Sequence, residues 1–291
     1  MKSLAGEPVA EQIYGRIKKG AAALKRAGLI PYLVVFQVGD LAASSFYIKR
    51  KKEACKSLGF KFEHIKCSKN ISEAELIMLI DQKSKNKEVH GMILQLPLPG
   101  HLNQEEIVKH IDPSKDLDGL HPFNQGLLIQ EGDNWDRLKA PAARAVIEIL
   151  NFYGYNKLKS KRVVVIGASA LFGLPLALYC TRAEATVTIC QKSTHHLARH
   201  TKEAKFVLSA AGYPGLLKPN MVAKNVVIID GGFSQDKQGK LVGDVSKRGD
   251  WHDAQAISPV PGGVGRVTVA CLLENLVKAT EAAKVLAGSG K

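Results

Sequence analysis

Arg162-Val163-Val164-Val165-Ile166-Gly167-Ala168-Ser169-Ala170-Leu171-Phe172-Gly173 decides the fold class. The run of β-branched residues reads as a strand buried on both faces. A glycine turn follows, then a helical pattern through about Arg182. Further strand patterns come near 186–190, 206–209 and 226–230. This βαβαβ order has the layout of a dinucleotide-binding unit, in which backbone N–H groups and a helix N-terminus meet a pyrophosphate. The turn by itself is weak evidence, because Ser169 stands where the usual middle glycine would be. The order of the surrounding elements strengthens it.

The end of the strand at 186–190 is more telling. A site for NAD wants an acid there for the ribose hydroxyls, and a site for NADP wants positive charge for the 2′-phosphate. The chain has Cys190-Gln191-Lys192-Ser193-Thr194, with no acid and one lysine. NADP is therefore the expected cofactor, held around Gly167, Ala168, Ser169, Gly173, Lys192 and Ser193.

The first half also alternates helix and strand. Residues 8–27 read as a helix, 32–38 as a buried strand, 60–65 as a strand, 72–83 as a helix and 91–95 as an apolar strand. This is α/β order, implying a parallel sheet with helical crossovers. The Pro- and Asp-rich stretch from 96 to about 140 is less regular, as loops at strand ends are. A helix near 142–155 bridges to the second unit, and a long helix at about 267–287 closes the chain.

Between the strands at 32–38 and 60–65, Ser44–Gly59 reads as a helix stopped by its glycine. Ala43, Tyr47, Ala54, Cys55 and Leu58 share one stripe at helical period, and Lys51 sits inside it. Lys49, Lys52, Glu53 and Lys56 point elsewhere, towards water. A buried ammonium is costly unless it is paired or gives up its proton. Lys51 is thus a candidate for proton transfer, with Tyr47 one turn away and Arg50 and Lys52 as further charges that would lower its pKa.

Composition narrows the classes. The chain has 291 residues, 45% of them hydrophobic, enough for two domains of a soluble globular protein. A formal charge of +14 calls for an anionic partner or substrate. The basic residues are spread along the chain and not interleaved with aromatics, which argues against nucleic acid. Five scattered cysteines without a C-x-x-C pair argue against a disulfide framework or a metal site. No apolar run is long enough to span a bilayer and the first residues carry no signal core, so a cytoplasmic location is expected.

Four segments together are specific: Tyr47-Ile48-Lys49-Arg50-Lys51, Gln95-Leu96-Pro97-Leu98-Pro99, Asp112-Pro113-Ser114-Lys115-Asp116-Leu117-Asp118-Gly119 and Pro259-Val260-Pro261-Gly262-Gly263-Val264-Gly265. In this order the chain resembles the bifunctional methylenetetrahydrofolate dehydrogenase/methenyltetrahydrofolate cyclohydrolase (FolD) family from about 6 to about 284. The resemblance implies two α/β domains, the second Rossmann-like, with the folate cleft between them, and a homodimer. The domains would be 1–140 for folate and catalysis and 141–266 for NADP, with 267–291 a helix packing back on the first. The implied chemistry is oxidation of 5,10-methylenetetrahydrofolate by NADP and hydrolysis of the methenyl product to 10-formyltetrahydrofolate. The implied catalytic residues are Lys51, Tyr47, Gln95 and Asp118, with Leu96, Pro97, Pro261, Gly262 and Gly263 also at the tetrahydrofolate substrate and Phe233 at the cofactor.

The chain departs from the family in the cofactor half. The usual G-R-S turn is Gly167-Ala168-Ser169, P-C-T-P is Pro141-Ala142-Ala143-Arg144, and C-H-S is Cys190-Gln191-Lys192. D-V-G-I-N is Asp230-Gly231-Gly232-Phe233-Ser234, and P-M-T is Arg266-Val267-Thr268. Two expectations follow: Lys192, with Arg144 or Arg266, replaces the lost arginine, or the dehydrogenase is weakened and a cyclohydrolase or folate-binding paralogue remains.

Overall fold

Runs of β-branched and aromatic residues set the two larger sheets of the computed structural model, which describes residues 1–130, 140–236 and 238–288, and their side chains except at 42, 43 and 286–288. The expected irregular stretch lies partly outside these, at 131–139. In chain order the elements are β1 (Lys2–Ser3), α1 (Glu7–Arg26), β2 (Tyr32–Val38), α2 (Ala42–Ser57), β3 (Lys61–Cys67), α3 (Glu73–Lys85) and β4 (Gly91–Gln95). Then come α4 (Gln104–Val108), α5 (Pro122–Gln130), α6 (Pro141–Phe152), β5 (Arg162–Ile166), α7 (Gly173–Arg182), β6 (Thr186–Cys190) and α8 (Leu197–Thr201). The rest are β7 (Phe206–Ser209), β8 (Val227–Asp230), β9 (Ser234–Gln235), β10 (Leu241–Val242), β11 (Ala256–Ile257) and α9 (Val264–Gly288).

The chain divides into two compact units, Ile13–Pro141 with Leu272–Lys291, and Met1–Gln12 with Ala142–Cys271. The first carries a three-stranded parallel sheet in the order β3-β2-β4. Every residue of β2 is buried, as its apolar run requires of a central strand. The edge strand β3 is only partly buried instead. The crossover α3 starts at Ser72, whose hydroxyl accepts from Glu75 N while Glu75 accepts from Ser72 N, a capping box.

The second unit has a six-stranded sheet in the order β1-β11-β8-β7-β5-β6, with parallel pairing throughout. The chain leaves β5 to one side for β6 and returns on the other side for β7, so the strand order reverses at β5. Val164, Ile166, Val207 and Ile228 form its core with Cys190 and Leu217. Each such side chain contributes about 1.5–3 kcal/mol on burial.

The units cut the chain within a few residues of 140 and 266, and once more after Gln12. Residues 1–12 join the second unit because Lys2 and Ser3 pair with Ala256 and Ile257, and Gly6 N donates to Gly262 O at 2.8 Å. These two-residue strands have no local pattern to announce them. The last half of α9 packs on the first unit through Asn275, whose Nδ2 donates to Leu117 O at 3.0 Å, and through the Arg16–Glu274 ion pair at 2.7 Å. Among the described residues no helix is long and apolar enough to cross a membrane.

Gly173 starts α7 against the end of β5, where a Cβ would lie 2.0 Å from Gly167 O. The Gly173→Ala variant is expected to lose about 1–3 kcal/mol of stability, as overpacked positions do. Urea unfolding followed by circular dichroism checks this; an unchanged midpoint would contradict it.

Candidate active site

Helix α2 buries Ser44, Ile48, Lys51 and Cys55 in a stripe at helical spacing and exposes Lys49, Lys52, Glu53 and Lys56. Tyr47 and Ala54 flank that stripe and are half-buried. Ala43 lies outside the described side chains. Leu58 is only half-buried, because it is the C-cap, and Gly59 follows with φ +70°. Phe60 N then donates to Cys55 O at 2.9 Å and Gly59 N to Lys56 O at 3.2 Å, a Schellman stop.

Lys51 is 7% exposed, and its Nζ donates to Gln95 Oε1 at 3.0 Å. Gln95 ends β4, the strand paired with β2, so the sheet fixes how far it stands from α2. Its Nε2 is held in turn by Leu96 O at 3.0 Å, which also accepts from Ser44 Oγ at 3.4 Å. The Leu96–Pro97 peptide bond is cis, as is Val260–Pro261.

Asp118 reaches this site because residues 115–117 run parallel to β4. Met92 N donates to Lys115 O at 2.7 Å and Leu117 N to Met92 O at 3.3 Å. The preceding acid, Asp116, closes the loop: its carboxylate accepts from Gly119 N at 3.1 Å, His121 N at 2.8 Å and Asn124 Nδ2 at 2.9 Å.

Burial lowers the pKa of Lys51, and the nearby Asp118 carboxylate only partly opposes this. A neutral hydrogen bond is worth about 1 kcal/mol net, against several for removing an ammonium from water. The amide of Gln95 therefore orients the amine without compensating its charge. Arg50 and Lys52, expected to help, do not lower it: Lys52 is exposed, and Arg50 lies over the Phe46 ring, 5.2 Å from its centroid. Burial pushes Asp118 up to about 6, with Lys51 opposing and Asp116 adding. Burial also raises the Tyr47 phenol, and pushes the Cys55 thiol up to about 12.

The second unit holds the other predicted residues. Gly167 has φ +112°, and a Cβ there would lie 2.5 Å from Ala210 O, in the loop after β7. Ala168 and Ser169 carry the turn, and Ser169 O accepts from Leu174 N at 3.1 Å. No side chain caps α7; Leu174 N is taken by Ser169 O and Pro175 has no N–H, so within the first turn Gly173 N is the amide a pyrophosphate would meet. After β6, Gln191 N donates to Thr194 Oγ1 at 2.9 Å and Thr194 N to Gln191 O at 2.8 Å. This closed turn presents Lys192 and Ser193, both exposed. Arg144 is instead paired with Glu148 at 3.0 Å and Arg266 with Glu7 at 2.8 Å. Phe233 follows β8, and Pro261, Gly262 and Gly263 lead into α9.

The structure thus brings Tyr47, Lys51, Gln95, Leu96, Pro97 and Asp118 together in the first unit and keeps Pro261, Gly262 and Gly263 in the other. Asp116 and Asn275 were not foreseen as organisers of the site. The K-D-x-D-G spacing pointed at the first; no local signal marked the second. Among the described residues no cluster of His, Cys, Asp or Glu could hold a metal.

Known proteins share this fold. The model of the tetrahydrofolate dehydrogenase/cyclohydrolase catalytic domain matches residues 4–118, and that of its NAD(P)-binding domain matches 140–284. The bifunctional protein FolD of Nautilia profundicola is 40% identical over 97% of this chain and 98% of its own. The crystal structure of the Campylobacter jejuni FolD enzyme superposes with a TM-score of 0.90, at 37% identity over 97% of this chain and 99% of that one. The Trypanosoma brucei enzyme, solved with NADP and an inhibitor, gives 0.91 at 32% identity, covering 97% and 98%. The chain belongs to the tetrahydrofolate dehydrogenase/cyclohydrolase family.

Proposed function

We propose that Lys51 is the proton carrier of the hydrolytic reaction in this chain. The protein is a bifunctional enzyme that oxidises 5,10-methylenetetrahydrofolate with NADP and hydrolyses 5,10-methenyltetrahydrofolate to the 10-formyl product. The observation that carries the role is the buried Nζ of Lys51, 3.0 Å from Gln95 Oε1. The methenyl carbon is electrophilic, so water adds to it once a base takes the proton. An uncharged amine at Lys51 takes that proton and passes it to the ring nitrogen as the carbon–nitrogen bond breaks, while the remaining hydroxyl proton leaves to solvent as the formyl C=O forms. Gln95 aims the amine, Tyr47 aligns it and packs on the folate, and Asp118 accepts hydrogen bonds from the pterin edge.

In the oxidation NADP supplies the hydride acceptor, and the protein supplies position. Gly167, Ala168, Ser169 and the start of α7 would hold the pyrophosphate, and Lys192 with Ser193 the 2′-phosphate. Arg144 and Arg266 are already engaged with carboxylates, which favours Lys192 as the replacement for the lost arginine. The homodimer implied by the resemblance and the cytoplasmic location expected from the sequence stay part of this proposal; a light-scattering mass of a single 31.5 kDa chain would remove the dimer from it.

Three outcomes are expected. Lys51→Met should lower hydrolysis at least about 100-fold, the lower range for acid–base catalysis, while its circular dichroism and NADP affinity stay unchanged. Hydrolysis at the parent level would remove Lys51 from the mechanism. With Asp118 titrating at about 6, the carboxylate form holds above that pH and is lost below it. The parent's hydrolysis rate should therefore fall as pH drops through about 6, and Asp118→Asn should lack that step. Lys192→Ala should raise KM for NADP about tenfold, as loss of one charge-assisted contact would, with KM for NAD nearly unchanged. Equal effects on both cofactors would rule out a 2′-phosphate contact.

A further inference from the structure

Two carboxyl groups outside the predicted site, Asp230 and Asp244, are 3% and 0% exposed. Asp244 Oδ2 accepts from Ser209 Oγ at 2.6 Å and from Ala211 N at 2.8 Å, and its Oδ1 accepts from Tyr213 N at 2.7 Å. Asp230 Oδ1 accepts from Gly232 N at 3.0 Å and Asp244 N at 2.9 Å, and its Oδ2 accepts from Val245 N at 2.9 Å. Backbone amides and one hydroxyl thus hold both side chains. Burial pushes Asp230 up to about 6 against these amides, with Asp244 adding to the rise.

The packing leaves no room for alternatives. A Cβ at Gly232 would lie 2.2 Å from Asp244 Cγ, and one at Gly243 would lie 2.0 Å from Asp230 Oδ2. The two acids therefore tie three segments into one body: residues 209–213 after β7, residues 230–232 after β8, and residues 243–245.

The position of this body gives it a use. The loop after β7 lies beside the glycine turn, with Ala210 N donating to Ile166 O at 2.7 Å and Ala210 O facing the Cα of Gly167. Strand order reverses at β5, and in such sheets a dinucleotide lies in the crevice outside the strand ends at that point. Lys192, after β6, stands on the adenosine side. The loops after β7 and β8 stand on the other.

We propose that Asp244 is a positioning residue for the dinucleotide, fixing through the amides of Ala211 and Tyr213 the loop that receives the half of NADP remote from Lys192. The inference rests on NADP binding at this sheet edge. Asp244 touches no reacting atom; it acts through the loop. Replacing it with asparagine keeps the volume but turns one acceptor into a donor facing other donors.

The test is steady-state kinetics of both reactions on Asp244→Asn and Ser209→Ala, beside NADP titration of the parent chain. Asp244→Asn should raise KM for NADP about tenfold, the measure of one charge-assisted hydrogen bond, with kcat much less affected. Ser209→Ala removes only the hydroxyl donor and should raise that KM about two- to threefold, so it carries the test if the first variant fails to fold. Hydrolysis uses Lys51 and no dinucleotide, so it reports whether the chain is intact. KM for NADP within twofold of the parent in Ser209→Ala and in any soluble Asp244→Asn would overturn the proposal. So would a parallel fall in both reactions, the mark of a merely structural role. A parent that takes up no NADP at millimolar concentration would overturn the cofactor site and this role with it; a parent that binds beside unaffected variants would overturn this role alone.

Discussion

The dehydration of one amine governs the first unit. Among the described residues, the partners of Lys51 return only part of what an ammonium loses on leaving water: Gln95 offers a neutral carbonyl, and burial pushes Asp118 towards its uncharged form. Burial shifts both ionisable groups towards their uncharged forms, while each favours the charge of the other. That condition suits a group that must both take and return a proton. It depends on exclusion of water by Ile48 and Cys55 on the same face of α2, and on the parallel pairing of β2 with β4 that brings Gln95 up to that face.

The second unit works by different means. Its predicted residues are mostly backbone, and its specificity lies in close approach. Gly167 and Gly173 bring the end of β5, the loop after β7 and the start of α7 closer together than side chains would permit. A frame of this kind tolerates exchange of its outer charges. The family's arginine is missing at Ala168 and a lysine stands at 192, while the strand ends and the glycine turn remain in place.

Much of this was legible in the residues themselves. Strands β2, β4, β5, β6 and β7 begin and end where their runs of apolar and β-branched residues do, because such a run marks a surface to be packed. Lys51 stood out for the same reason, a charge on an apolar stripe. What escaped was long-range. Asn275 supports the Asp118 loop from 158 positions away, and Asp244 holds amides that precede it by about thirty residues. Such bonds join side chain to backbone and leave no periodic trace. Neighbours in sequence also misled: Arg50 and Lys52 flank Lys51 along the chain but leave α2 about 100° to either side of it, so neither sets its protonation.

Neither unit is an unbroken stretch of chain, and this has a consequence for synthesis. A nascent polypeptide that has reached residue 271 contains Lys51, Gln95 and Asp118 in full, yet Leu117 O still lacks Asn275, Gly91 lacks the Leu276 side chain against it, and Gly20 lacks Val277. Residues 272 onward follow the 142–271 stretch that belongs to the other unit, so the sheet beside Lys51 is completed only after that whole stretch has been made.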